Sequence, residues 1–156
     1  MRKALKWIAI VLAICFAAAQ FVTERRTNPP SDPAQSIDKI VNVPQDVQAI
    51  LTRACADCHS NQTEWPWYSH VAPTSWFVVG HVNNGRRHIN FSTWVRPGHE
   101  PVDSIDRLKA MCREVQSGGM PLTSYKLIHW SSWLSADDVK RLCDWSAEEQ
   151  KRLGGG

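Results

Sequence analysis

The sequence predicts an all-α fold, on three observations. Apolar residues recur at helical spacing in three separate stretches: Val47, Ile50, Leu51 and Ala54; Ile105, Leu108, Cys112 and Val115; and Val139, Leu142 and Cys143. Prolines stand where helices should begin, at Pro44 and Pro73, and glycines where they should end, at Gly85 and Gly118-Gly119. A run of two cysteines and a histidine, Cys55-Ala56-Asp57-Cys58-His59, continues the first apolar face without a break.

The 156 residues suffice for one modest domain with a core. The formal net charge is +3, and the Lys and Arg residues are scattered without a basic stripe, so nucleic acid is not an expected partner. The chain opens on a positive segment, Met1-Arg2-Lys3 with Lys6. An apolar run from Trp7 to Val22 follows, broken by Gln20. This reads as a signal peptide or a short membrane anchor over residues 1–26. Ala17-Ala18-Ala19 offers a cleavage site, whereas Phe21-Val22 continue the apolar run past it, and the uncleaved transmembrane anchor is the favoured form. The expected location is the inner membrane with the domain facing the periplasm, or the free periplasm if the signal is removed. Residues 27–43 form a linker that starts with the Pro-rich Thr27–Pro33, and residues 44–153 the domain.

Within the domain, Pro44 opens the first helix. Ser60–Tyr68 is a loop carrying Trp65, Trp67 and Tyr68, rings that can wrap a cofactor edge or pin the loop to the core. A second helix is expected over about 74–84, with Trp76, Phe77, Val79 and His81, ended by Gly85. A third is expected over about 103–116, ended by Gly118-Gly119. A short helix is expected near Tyr125–Trp130. The last helix is introduced by Ser135, with Asp138 as an acidic variant of the capping box and Leu134 able to staple to Val139. Lys140-Arg141 and Glu148-Glu149 read as a solvated face. Cys112 and Cys143 can pair as a disulfide or remain buried thiols.

The spacing Cys55-x-x-Cys58-His59 is the attachment motif of a c-type haem. Two thiols three positions apart on one turn can reach both haem vinyl groups, and the next residue's imidazole then binds iron from below. A thioredoxin-like dithiol would need a βαβ setting, and a zinc site a second ligand pair; neither is evident. Met120, in Gly118-Gly119-Met120-Pro121, is the loop methionine suited to the distal iron position. His81 is its main rival, and His70, His88, His99 and His129 are further ones. Arg86 or Arg87 could pair with a haem propionate, or be a solvated surface arginine.

In the order of its parts the chain resembles class I cytochromes c. It resembles the bacterial haem-binding domain family more closely, through Cys55–Trp94 with its Trp65-Pro66-Trp67-Tyr68-Ser69 run, through GGMPLTSYKLIH, and through LSADDVKRL. The resemblance implies a small cytochrome c-like helical domain with one covalently attached haem c, held at Cys55 and Cys58 with iron on His59. Met120 takes the distal position by analogy with Met-Pro loops. Such a protein is expected to transfer single electrons to redox proteins of the periplasm or inner membrane, as a carrier more than a catalyst. A haem enzyme or gas sensor with a displaceable distal ligand, and a haem-free dithiol or metal protein, remain the alternatives.

Overall fold

A computed structural model describes residues 1–95 and 101–154. His99, Gly155 and Gly156 lie outside the described residues. Among those described, the chain is all-helical: seven α-helices and five short 3-10 turns, with no strand. The expected all-α class holds.

The apolar N-terminal run forms α1 (Arg2–Ala19), none of whose residues is buried. The expectation of a membrane-spanning helix is corrected here. Its 18 residues reach about 27 Å at 1.5 Å per residue, less than the ~30 Å hydrocarbon layer, and they include Arg2, Lys3 and Lys6. Among the described residues no helix is long and apolar enough to cross a membrane. The Pro-rich stretch that follows has no helix before Pro33, but it runs along the domain. Asn28 Nδ2 donates to Thr63 O (2.9 Å), and Thr27 O accepts from Arg86 Nη1 (2.8 Å).

Helix α2 (Gln45–Ala54) begins after Pro44 and buries Val47, Ile50, Leu51 and Ala54, the face the spacing predicted. It breaks at Cys55 (φ −130°, ψ −38°). The next four residues form the separate turn α3 (Ala56–His59), so the cysteine–histidine motif sits on its own turn and not on the end of α2. Helix α4 (Thr74–His88) runs through Gly85, which was expected to stop it. A Cβ at Gly85 would lie 2.6 Å from the Cys58 carbonyl oxygen, so the glycine serves the contact between α4 and α3.

Helices α5 (Pro101–Gln116) and α7 (Ala136–Gly154) pack antiparallel. Cys112 is bonded to Cys143, while the earlier residue Leu108 accepts through its carbonyl from the later Ser146 Oγ (2.8 Å). α5 stops two residues before Gly118, which adopts φ +74°. Between the two helices lies α6 (Thr123–Lys126), followed by a 3-10 turn at Trp130–Ser132; the single short helix expected over 125–130 is divided into these two pieces. Leu51, Leu108, Met111, Leu142, Trp94 and Trp145 form the centre of the core. Both buried indoles find acceptors, Trp94 Nε1 at Ser104 Oγ (3.0 Å) and Trp145 Nε1 at Asn42 O (2.7 Å). Glu149 departs from the solvated face expected of it. It is buried, paired with Arg152 (2.6 Å), and accepts from the Asn42 amide (3.0 Å).

Candidate functional site

The turn α3 presents Asp57, Cys58 and His59 between α2 and α4. Its fold is fixed locally by Asp57. The Asp57 carbonyl accepts from Thr63 Oγ1 (2.6 Å), and its carboxylate accepts from the Glu64 amide (3.2 Å) and from Tyr125 Oη of α6 (2.6 Å). His59 Nδ1 lies 3.0 Å from the Ile89 carbonyl oxygen. A carbonyl can only accept, so Nδ1 carries the proton and Nε2 keeps the lone pair that binds metal. Burial lowers the His59 pKa below its ordinary value, against the opposing pull of the Ile89 and Gly85 carbonyls. The neutral, metal-binding imidazole is thereby favoured.

Cys55 and Cys58 are unpaired. Burial pushes the Cys55 thiol up to about 12, with Cys58 adding to the rise and Arg53 opposing it. Burial likewise raises Cys58 to about 11, with Asp57 adding and Arg86 opposing. Both are protonated at neutral pH, whereas a redox dithiol needs a lowered thiol pKa. Among the described residues no three His, Cys, Asp or Glu side chains are grouped to hold a bare metal ion.

Beside Cys58 opens a cleft of about 260 Å³. That lies just below the ~300–1,000 Å³ usual for small-molecule sites. Phe77, Val78 and Val82 of α4 form one wall, and Leu122 and Ile128 another. Four polar rings share the lining: His81, Tyr68, Tyr125 and His129. Tyr68 Oη and His129 Nε2 share a hydrogen bond (2.6 Å), and His129 stacks on Tyr125 with centroids 4.1 Å apart and planes 12° off parallel. Burial and the nearby Asp57 raise the pKa of both tyrosines.

A family model described as a haem-binding domain matches residues 14–148. The chain belongs to the haem-binding domain family. No curated protein and no solved structure matches it. The residues present fit haem in part. The cleft is largely apolar and the unpaired Cys58 stands on its wall, whereas Cys55, His59 and Trp65, whose buried Nε1–H has no acceptor among the described residues, lie outside its lining.

The residues singled out from sequence are placed unequally. Cys58 and His81 line the cleft, and His81 packs edge-on against Phe77 (4.1 Å). Met120 is not among the lining residues; its amide donates to Glu114 O (3.1 Å), while Leu122 faces the cleft instead. Arg86 is engaged by protein acceptors at Ser60 O, Thr27 O, Asn28 Oδ1 and Thr63 Oγ1, with its guanidinium carbon 6.0 Å from the Trp65 ring centre. Trp67 is 78 % exposed and outside the cleft. Sequence reasoning assigned no site role to Asp57 or Tyr125. The one available signal was Asp57's position between the two cysteines.

Proposed function

We propose that this haem-binding domain is a monohaem c-type cytochrome that carries single electrons outside the cytoplasm. One observation carries the reading: two unpaired, half-buried thiols and an imidazole whose Nδ1 faces the Ile89 carbonyl share the Cys55–His59 segment, and Cys58 of that segment lines a largely apolar cleft. Cys55 and Cys58 would hold haem c through thioethers, and His59 would bind its iron. Bound haem supplies a one-electron iron couple. The residues around it exclude water and fix the imidazole through the Ile89 carbonyl. Met120 and His81 are the two candidates for the sixth iron position. The soft thioether favours the first, and the cleft lining favours the second. The Cys112–Cys143 disulfide and the signal-like N-terminus support export to an oxidising compartment, with periplasmic or inner-membrane redox proteins as partners.

A second reading is favoured by a specific observation. Tyr68, His129 and Tyr125 bring acid–base groups to the cleft wall, as a haem enzyme or sensor with an open sixth position would need. One preparation tests both. The chain, matured in a host that attaches c-type haem, is expected to gain the mass of one haem and to give a haemochrome spectrum. Cys55→Ser with Cys58→Ser should remove both signals. The carrier reading expects low-spin iron that turns high-spin in either Met120→Ala or His81→Ala. High-spin iron that binds CO readily in the unaltered protein supports the enzyme or sensor. A colourless product at the mass of the bare polypeptide defeats both readings.

A further inference from the structure

Around the cleft mouth the surface is unusually apolar. Trp67 and Trp130 are 78 % and 80 % exposed, and Leu127 and Trp133, close to Trp130 in the chain, are exposed too. Phe77 and Ile128 are also exposed and continue this rim into the cleft itself. The parts are linked. Trp67 meets Tyr68 edge-on (5.8 Å), and Tyr68 is bonded to His129, the residue between Ile128 and Trp130. A contiguous exposed aromatic patch of this kind marks a surface that is covered in use.

The N-terminal segment says what covers it. α1 is an apolar helix exposed all round, with Arg2, Lys3 and Lys6 at its start. Its end is fastened beside the rim. Gln20 exchanges two hydrogen bonds with the Ala72 backbone (3.0 and 3.2 Å), Val22 O accepts from Trp76 Nε1 (2.6 Å), and Arg26 Nη1 donates to Ser69 O (3.1 Å). An apolar helix too short to span, with basic residues at its start and its end fastened to Trp76, matches the chemistry of a bilayer interface. There the indole ring is buried at headgroup depth and cations meet anionic lipid. Lys126, 4.9 Å above the Trp133 ring, adds a cation to the same edge.

We propose that the protein lies on a lipid bilayer through α1 and the rim of Trp67, Leu127, Trp130 and Trp133, with the cleft mouth turned toward the lipid. The proposal is independent of how haem is held. It adds to the function argued above a membrane-facing orientation, so that an electron would enter or leave on the lipid side.

The test uses the full chain on vesicles of phosphatidylglycerol and phosphatidylcholine containing a phospholipid with a photoactivatable diazirine in its acyl chain. After illumination, labelled residues are mapped by mass spectrometry. Label is expected on α1 and also on peptides carrying Trp67 and Trp130. The double variant Trp67→Ser with Trp130→Ser should lose roughly tenfold in vesicle partitioning. Both side chains are exposed, so its far-UV circular dichroism should match the unaltered protein. Label confined to α1, or partitioning unchanged in the double variant, overturns the proposal. So does a dimer in solution that the double variant abolishes while vesicle binding persists, since the rim would then cover a second copy. None of these outcomes bears on the haem readout.

Discussion

At Gly85 a missing side chain sets how closely α4 approaches the cysteine–histidine turn. Alanine would favour the helix itself by roughly 1 kcal/mol. Its Cβ, however, would fall 2.6 Å from the Cys58 carbonyl oxygen, a backbone atom that cannot swing aside. Overpacking of this kind costs about 1–3 kcal/mol, so the clash outweighs the gain. Gly85→Ala is expected to lower the urea midpoint and the yield of haem-loaded protein; a midpoint at or above that of the unaltered chain would show that the helices can part at no cost. At this scale the sequence was partly legible. Cys55, Cys58 and His59 were singled out from spacing alone, because the motif is local. Gly85 was misread as a helix stop, because nothing near it in the chain reveals the distant backbone it meets. Tyr125 was invisible as a partner of Asp57 for the same reason.

Helix α7 shows how an element is held at its start. Ser135 Oγ accepts from the Asp138 amide (3.1 Å), and the Asp138 carboxylate accepts from the Ser135 amide (2.8 Å), closing the capping box. Arg53 of α2 pairs with the same carboxylate (2.7 Å) and fastens the two helices together. Burial pushes the Asp138 carboxyl up, but the hydrogen bonds from Arg53 and Ser135 outweigh it, so its pKa lies below 3.8 in the folded protein. The unfolded chain therefore binds the proton more readily. The stabilisation is present above about pH 3.8 and is lost as pH falls through the lower folded value. Asp138→Asn should accordingly lower the urea midpoint at neutral pH, with the difference from the unaltered protein closing as the solution is acidified below that range. A constant difference at all pH values would assign the effect to geometry and not charge. The helices α2, α5 and α7 were readable from their apolar period and end signals, which are properties of neighbouring residues. The burial of Glu149 was not, since its partner Asn42 comes from the other end of the domain.

Over the whole molecule, the α5–α7 pair is closed covalently by Cys112–Cys143, across a sequence separation of 31. Restricting the unfolded chain by a loop of that length contributes about 3–4 kcal/mol in the chain-entropy account. Replacing both cysteines by serine is expected to lower the free energy of unfolding by an amount of that order, read from urea titration, with the haem spectrum unchanged because neither residue lines the cleft. A shifted spectrum would place the helix pair in control of the iron site. The sequence left this pairing open, since whether two helices bring their sulfurs together depends on packing. The docking of the N-terminal segment was likewise hidden, its prolines suggesting a free spacer. That docking governs what trimming could do. No residue of α1 is buried, and the first side chain to grip the domain is Gln20, directly after the Ala17-Ala18-Ala19 triplet. A protease acting behind Ala19 would shed the helix and sever no hydrogen bond from Gln20 onward to the domain. Arg86 would keep its hold on Thr27 and Asn28. Tethered and released molecules would then share one architecture, differing in address alone.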